Sequence, residues 1–481
     1  MGIGARLSQK WKTMPPTVRA SLCFSIAMFI QKGILSLATP IFTRSMSPVE
    51  YEQYTVYNAW SNILTIVATL NLSSGVLNNQ LVEAKYSREK IVSAFQGLSS
   101  LWAAGFLLLA AAVYMIGFRV SSMPGYLWFL MLASFMVTPA YEIWIVSRRF
   151  TYDYRMPCII MVIVAIANFL ISLAAVLLSD CKGEAKIFTA ILINMFTGCA
   201  LWVYNYRHER TLYKREIWKA ALCFNLPLIP HFLSLTVLNQ SDKIMIEAMC
   251  PPGSAAIYSV AHTVAAIIQL MMTAVNYSLI PWTYQRLKAG ENATIAKRSN
   301  MVLWSVAVAL ICIMLFAPEV MRIMAPDEYQ EAIYIIPAMA AGLYFNYLYQ
   351  FYGRIELYHK KTRYMMFGSV MCAAVNIALN YVFIRCWGYQ AAAYTTLFCQ
   401  MGLSIMHALL TNRLIRKMNY KQTPVDNRTI ALISLAVLLG AALILMMYDI
   451  LWLRMGCIVM IAAAACVKRR KIRSLIQSYL K

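Results

Sequence analysis

A chain of 481 residues that is 60% hydrophobic and 13% charged, with a mean hydropathy of +0.60, is too apolar for a soluble domain of its size. Its composition is that of an integral membrane protein. A formal net charge of +23 would suggest nucleic acid as a partner in a soluble chain, so where the charges sit decides their meaning.

Roughly 20 helical residues cross about 30 Å of hydrocarbon, and by that measure the sequence predicts about 14 spans. The first, Thr17–Phe42, holds Gln31 and Lys32 in the middle of "AMFIQKGILSLATP". A lysine at the centre of a span costs about 2.5–3.5 kcal/mol on insertion scales, so it pairs with something or faces a wet cavity. Lining a hydrated lumen is the preferred reading, and an internal ion pair is the alternative. The run is too long for a signal h-region and lacks a usual cleavage site, so it is expected to stay as the first span.

Thr55–Leu77, Ile91–Gly117, Gly125–Ser147, Pro157–Leu178 and Ile187–Tyr206 follow. In the fourth, Glu142 of "PAYEIWIVSRRF" lies about a turn and a half from Arg148 and Arg149. A pair with one of these arginines at the cytoplasmic edge is the plainer reading. A proton or sodium site is the other, because carboxylates recur in such relays.

The seventh span, Ile217–Leu238, has Pro227 and Pro230 followed by His231. Proline removes a backbone hydrogen bond, so this helix should break, which a membrane tolerates where the break lines a cavity or packs in protein. Asn239, Gln240, Ser241, Asp242 and Lys243 form a polar cluster at its outer end. They read either as substrate contacts or as a solvated helix end.

The remaining spans are Ala255–Ile280, Met301–Ile323, Ile333–Tyr352, Tyr364–Ile384, Tyr389–Leu410, Ile430–Met447 and Leu451–Val467. All should be helices, since lipid offers no partner to an open backbone and the alternation of a strand barrel is missing. His231, His262 and His407 read as packed rather than catalytic. The tyrosines of "LYFNYLYQFYG" fit an interfacial belt, or a wall tolerant of sugars.

Lysine and arginine test this count. With a cytoplasmic N-terminus, 34 of the 43 fall in the tails (Arg6, Lys10, Lys12 and Arg19 in the first) and inner connections. Only 8 fall in outer connections: Arg44, Arg119, Lys182, Lys186, Lys243, Arg322, Arg385 and Arg454. The one left over is Lys32. An even number of spans with both termini cytoplasmic follows, and the net charge becomes a topology signal that argues against nucleic acid. The tail "VKRRKIRSLIQSYLK" reads as a stop-transfer flank, with anionic headgroups as its alternative partner. None of the 12 cysteines forms a C-x-x-C pair, and no metal site is expected. Cys181, Cys250 and Cys386 fall near the outer side, where a disulfide is the lesser reading.

The outer connections are short, and "G-x-x-x-x-G-K-[ST]" is absent, so the chain is not expected to drive transport by its own ATP hydrolysis. "MSPVEYEQYTV" from Met46 is echoed by "MCPPGSAAIYSV" from Met249, each joining two spans. The echo suggests two six-helix halves, 1–210 and 211–415, with two further helices and a basic tail over 416–481. Transporters often place the substrate path between such halves. Chance similarity of an outer turn is the alternative.

"KGILSLATPIFTRSMSPVEYEQYTVYNAW" resembles the opening of polysaccharide-export flippases of the Wzx type, in the multidrug/oligosaccharidyl-lipid/polysaccharide (MOP) exporter superfamily. "EIWIVSRRFTYDYR", "LPLIPHFLS…SDKIMI", "AAIYSVA", "YFNYLYQFYGRIELYHKKT" and "VNIALNYVFIRCWGYQAAAYTTL" agree in order and spacing, from about Lys32 to Leu410. The chain departs at "EYEQY", where many relatives carry a glycine before the tyrosine, which puts the geometry of that loop in question. The resemblance implies a MATE-like all-α fold in the cytoplasmic (inner) membrane. It also implies movement of an undecaprenyl-diphosphate-linked oligosaccharide from the inner to the outer leaflet.

On that implication Lys32, with Gln31 beside it, would offset the desolvation of the diphosphate. Arg44 and Lys243, near Asn239 and Asp242, would receive it at the outer side. Glu142 and Asp242 are the candidates for coupling to Na+ or H+, with no other cofactor expected. A polysaccharide polymerase complex is a further candidate partner. The rival readings are a multidrug exporter, which prefers acidic cavity residues, and a lipid II flippase, where more central arginines are expected. From another class come a membrane polymerase or glycosyltransferase, which the short outer loops disfavour, and a scaffold, which buried charge disfavours.

Overall fold

The structure is a computed structural model and describes residues 14–467 apart from 75, 84, 117–122, 360–361, 419 and 421. The expected basic positions Arg6, Lys10, Lys12 and Arg119, and the tail 468–481, lie outside the described residues. Helix is the only repeating structure among the described residues.

In chain order the helices are α1 (Pro16–Ser45), α2 (Pro48–Ala68), α3 (Val76–Glu83), α4 (Arg88–Met115), α5 (Gly125–Ser134) and α6 (Pro139–Phe150). Then come α7 (Arg155–Leu178), α8 (Lys182–His208), α9 (Arg215–Asn225), α10 (Ile229–Met249), α11 (Ser254–Ala265) and α12 (Ile267–Ala289). The series ends with α13 (Asn292–Met324), α14 (Ile336–Tyr358), α15 (Thr362–Trp387), α16 (Gln390–Lys417), α17 (Asn427–Met447) and α18 (Leu451–Val467).

Eleven helices among the described residues are long and apolar enough to cross a membrane, or 12 if the pair Ser254–Ala265 and Ile267–Thr273, bent by 45°, is one span. Each expected apolar segment is helical over most of its described residues. The difference from the expected 14 has three local causes. α2 is long enough at 21 residues but too polar, with Glu50, Glu52, Gln53, Asn58 and Asn62 along it; the eighth is the bent pair; and the last contains only a short apolar helix, Leu451–Met460.

Local chemistry sets several helix ends. Ser47 and Glu50 form a capping box at the start of α2: Ser47 Oγ accepts the Glu50 N–H at 3.3 Å, and Glu50 Oε2 accepts the Ser47 N–H at 2.8 Å. Pro48 sits at the first helical position, where its missing N–H costs no bond. The expected break in the seventh span is present. α9 stops at Asn225, a 3-10 turn covers Leu226–Leu228 with Pro227 inside it, and Pro230 lies in the first turn of α10. The whole of Arg215–Met249 still qualifies as one span. Because α10 runs on to Met249, Asn239–Lys243 lies inside a helix, about two turns from its end.

The chain packs as two units. The first holds the chain up to Ser259 together with Met366–Tyr389, and the second holds Val260–Met365 with the chain from Gln390 onward. These packing units do not share the boundary at 210 drawn from the sequence echo, because α10 packs along α2 within the first unit. One core of that unit gathers Leu70, Leu77, Ile91, Phe95, Ile143 and Ile217, and another gathers Tyr57, Leu127, Met131 and Ile187. The second unit is built on α14 lying against α16, with α13 and α17 alongside.

Candidate functional site: a polar cavity in the first unit

Two helix interruptions open a polar space inside the first unit. After α2 the chain turns through residues 69–74, with Leu70 (φ 58°) and Asn71 (φ 46°) both in the left-handed region. Non-glycine residues held there cost about 1–3 kcal/mol each and persist only where the surroundings impose them. Asn225 does so: its buried side-chain amide donates to the carbonyls of Leu70 at 2.9 Å and Asn71 at 3.0 Å. The second interruption is the turn between α5 and α6. Gly198 of α8 lies so close to it that a Cβ there would come within 2.8 Å of the Val137 carbonyl carbon and oxygen and 2.9 Å of Thr138 Cα. Broken helices at membrane depth are tolerated where they line a cavity.

The cavity between these turns has a volume of about 380 Å³. Gln31 of α1 lines it, with Tyr57, Ser61, Asn62 and Thr65 of α2, Asn71 and Ser73 of the first turn, and Thr138 of the second. Tyr141 and Glu142 of α6 and Asn194 and Thr197 of α8 also line it. Thr65 Oγ1 donates to Ser61 O at 2.6 Å, and Thr197 Oγ1 to Ile193 O at 2.8 Å. With their protons spent on their own helices, these oxygens present lone pairs. Among the described lining residues Glu142 carries the one formal charge, and none is a lysine or arginine. A polar wall with one carboxylate, and no lysine or arginine among its described residues, suits a cation or a proton and offers a diphosphate no countercharge.

The structure brings together two of the residues singled out from sequence, Gln31 and Glu142. The ion pair expected of Glu142 is not formed. Arg148 instead pairs with Asp153 at 3.0 Å and donates to Tyr204 Oη at 2.9 Å, while Arg149 lies over the Phe24 ring at 5.0 Å. Tyr152, left-handed at φ 57°, turns the chain so that Asp153 reaches back to Arg148. Lys32 is exposed on α1, outside the cavity wall, and makes no ion pair with a described residue. Arg44 Nη1 donates to the Pro40 carbonyl at 2.9 Å. Asn239 donates to Leu235 O at 2.7 Å, and Lys243 Nζ to Gln240 Oε1 at 3.1 Å. Asp242 is buried and accepts Tyr258 Oη at 2.6 Å and Asn380 Nδ2 at 2.7 Å. It therefore joins α10, α11 and α15, and the cluster is no solvated helix end. Cys181, Cys250 and Cys386 are all free.

The model of the polysaccharide biosynthesis protein family matches residues 18–287, more than half of the chain. The chain belongs to that family. No curated protein matches it. Among solved structures, the lipid II flippase MurJ in an inward closed conformation is similar at 13% identity and a TM-score of 0.66, over 94% of this chain and 100% of that one. An inward-facing multidrug resistance MATE family transporter of the MOP superfamily is similar at 13% identity and a TM-score of 0.60, over 84% and 100%. A MOP superfamily transporter from Pyrococcus furiosus follows at 15% identity and a TM-score of 0.54, over 86% and 98%. This polysaccharide biosynthesis protein thus has the fold of MOP-superfamily transporters and flippases, in a multi-pass membrane chain.

Three arrangements in this family member were not foreseen from sequence, although Lys186 and His407 were named there in other roles. Lys186, assigned to an outer connection, is buried in α8 with Nζ 3.7 Å from the ring centre of Phe42, 3.8 Å from Tyr54 and 4.5 Å from Tyr51. The Tyr51–Tyr54–Tyr57 spacing of three along α2 was the available signal for a ring-lined face. Glu52 is buried and accepts the backbone N–H groups of Gly253 and Ala255, both at 2.8 Å. Glu356 and His407 meet in the second unit at 2.9 Å.

Proposed function

We propose that this family member is a flippase that carries a polyprenyl-diphosphate-linked oligosaccharide from the inner to the outer leaflet of the cytoplasmic membrane, by alternating access through a cationic lumen, with both termini cytoplasmic. The family match over residues 18–287 carries this reading. The MOP-transporter fold, shared with a lipid II flippase over 94% of the chain, supports it. Lys32, exposed at the centre of the first span, is the cation assigned to the diphosphate, with Arg44 and Lys243 receiving it at the outer end. Pro227 and Pro230 are assigned as the hinge. The chain is a transporter in this reading, not an enzyme, and a polysaccharide polymerase complex consumes its product.

The cavity takes a separate role. Glu142, with no ion pair among the described residues, and acceptors from Gln31, Asn62 and Asn194 form the coupling site for H+ or Na+. Asp242 is the second candidate, already held by Tyr258 and Asn380. The same lone carboxylate favours a second reading, a multidrug exporter taking cationic compounds into this cavity.

Cells lacking the protein, complemented with wild type or Lys32→Ala, separate these readings when the leaflet of the lipid-linked sugars is read with a membrane-impermeant probe. Inner-leaflet accumulation rescued by wild type alone supports the flippase with a working lysine. Normal sugar pools with altered dye efflux select the multidrug exporter. Outer-leaflet accumulation of unpolymerised units points to an enzyme.

A further inference from the structure

In the second unit a polar seam runs between α14 and α16. Gln400, Ser404, His407 and Thr411 recur along α16 at the four- and three-residue spacing of one helical face, and all four are buried. Across from them Asn346 donates to Gln400 Oε1 at 3.1 Å, and Gln350 donates to Asn346 Oδ1 at 2.8 Å. Asn276 of α12 donates to Gln350 Oε1 at 2.7 Å. At the far end Glu356 uses both oxygens: Oε2 lies 2.9 Å from His407 Nδ1, and Oε1 accepts the Thr411 hydroxyl at 3.0 Å. Glu356 is 1% exposed and His407 is fully buried, and His407 Nε2 has no hydrogen-bond partner among the described residues.

We propose that Glu356 and His407 form a single-proton binding site whose loading locks α14 against α16. The inference rests on the transporter reading only for its coupling role. When neutral His407 donates its Nδ1–H to ionised Glu356, the cluster carries one negative charge with no lysine or arginine within ion-pair distance among the described residues. One added proton makes the cluster neutral, whether it resides on His407 as a tight imidazolium–carboxylate pair or on the Glu356 carboxyl as a hydrogen bond to Nδ1. A buried unbalanced charge costs more than the one N–H, without a partner among the described residues, that the neutral cluster leaves at His407 Nε2. The loaded seam is therefore the dry, closed form, and release of the proton favours separation of the helices and entry of water.

Tyr349 of α14 packs its ring 4.9 Å from that of His407 as a neutral phenol, and it and the other surrounding groups leave this arithmetic unchanged. Arg354 on α14 turns its Nε to the Gln350 carbonyl and its guanidinium toward Phe351. On α13, Arg298 stacks on Trp282, and on α16 Arg413 is exposed. Asp426 before α17 is occupied by Thr429 and Asn300, and Tyr284 of α12 packs its ring on Tyr358. Beyond α14, His359 bonds Tyr420. Asp327, Glu328 and Glu331 belong to the turn before α14, at the opposite end of that helix.

The test is hydrogen exchange of residues 346–358 and 400–412 in lipid nanodiscs across a pH series, corrected for the intrinsic chemical rate. Wild type should show a severalfold rise in exchange in both segments as pH rises. Glu356→Gln, a mimic of the loaded carboxyl, should stay protected throughout. Thr411→Val, which keeps the Glu356–His407 pair but removes one donor, should move the midpoint of the response and serves if Glu356→Gln does not fold. An exchange profile without pH dependence in wild type, or an unchanged midpoint in the variants, overturns the proposal. Flipping in proteoliposomes separates the two readings. Wild-type flipping that ignores an imposed proton gradient overturns the coupling role and leaves the flippase. A pH-responsive seam in a protein that flips no lipid-linked sugar supports the proton site and removes the flippase.

Discussion

Glu52 on α2 accepts the Gly253 N–H at 2.8 Å, and its other oxygen accepts the Ala255 N–H at the same distance. Those two donors open α11, so a carboxylate distant in sequence caps that helix. The residues belong to the two sequence echoes that start at Met46 and Met249, so in the first unit the echoed turns are bonded to each other. Gly253, at φ 93°, allows the approach: a Cβ there would lie 3.0 Å from Pro48 Cβ, in a backbone conformation that favours glycine.

Glu52→Ala strands two backbone donors, one of the costliest ways to lose a hydrogen bond, and should destabilise the protein by about 1–3 kcal/mol or more. Glu52→Gln keeps one acceptor and should cost clearly less. Unfolding in detergent with increasing denaturant checks both. Equal stability of the Ala variant and wild type would mean that the cap contributes nothing.

Asn225→Ala removes the side-chain amide that holds the carbonyls of Leu70 and Asn71. The turn then loses what imposes its left-handed residues, at a cost of about 1–3 kcal/mol. Proteolysis or hydrogen exchange over residues 66–76 should increase while that of α7 stays as it was. Uniform loosening of the whole unit would contradict a local role.

Glu142→Gln preserves the size and polarity of the cavity wall and removes its charge. Transport that depends on an imposed H+ or Na+ gradient should be lost, while the folded protein and its abundance are retained. Gradient-dependent transport at the wild-type rate in Glu142→Gln would remove Glu142 from coupling.

Lys186 has rings around its ammonium and no carboxylate within ion-pair distance among the described residues. A cation over aromatic faces gains about 0.5–2 kcal/mol. A double-mutant cycle of Lys186→Met with Tyr54→Leu should return a coupling energy of about that size. Zero coupling would show that the amine sits there uncharged, as a packed chain.

Much of the architecture was legible because it follows from local composition. Each apolar run became mostly helix, and Pro227 with Pro230 marked one interruption that proline chemistry announces, as Pro139 does at the start of α6. The turn after α2 carried a weaker mark, "TLNLSS" followed by Gly75, and its left-handed Leu70 and Asn71 are imposed by Asn225, more than 150 residues away. The cavity was legible only in its parts. Glu142 and Gln31 were visible as polar residues in apolar runs, but the sequence offered arginines to Glu142 that the fold directs to Asp153 and the Phe24 ring.

Composition and spacing by themselves determine that this chain is a helical membrane protein, which face of each helix is polar, and which segment proline must break. Burial of apolar surface and backbone self-bonding are local demands, met within each helix. Tertiary structure decides which polar groups meet: Asn225 with Leu70, Glu52 with Gly253, Glu356 with His407. A helical sequence states which residues share a face, and only packing states what that face touches.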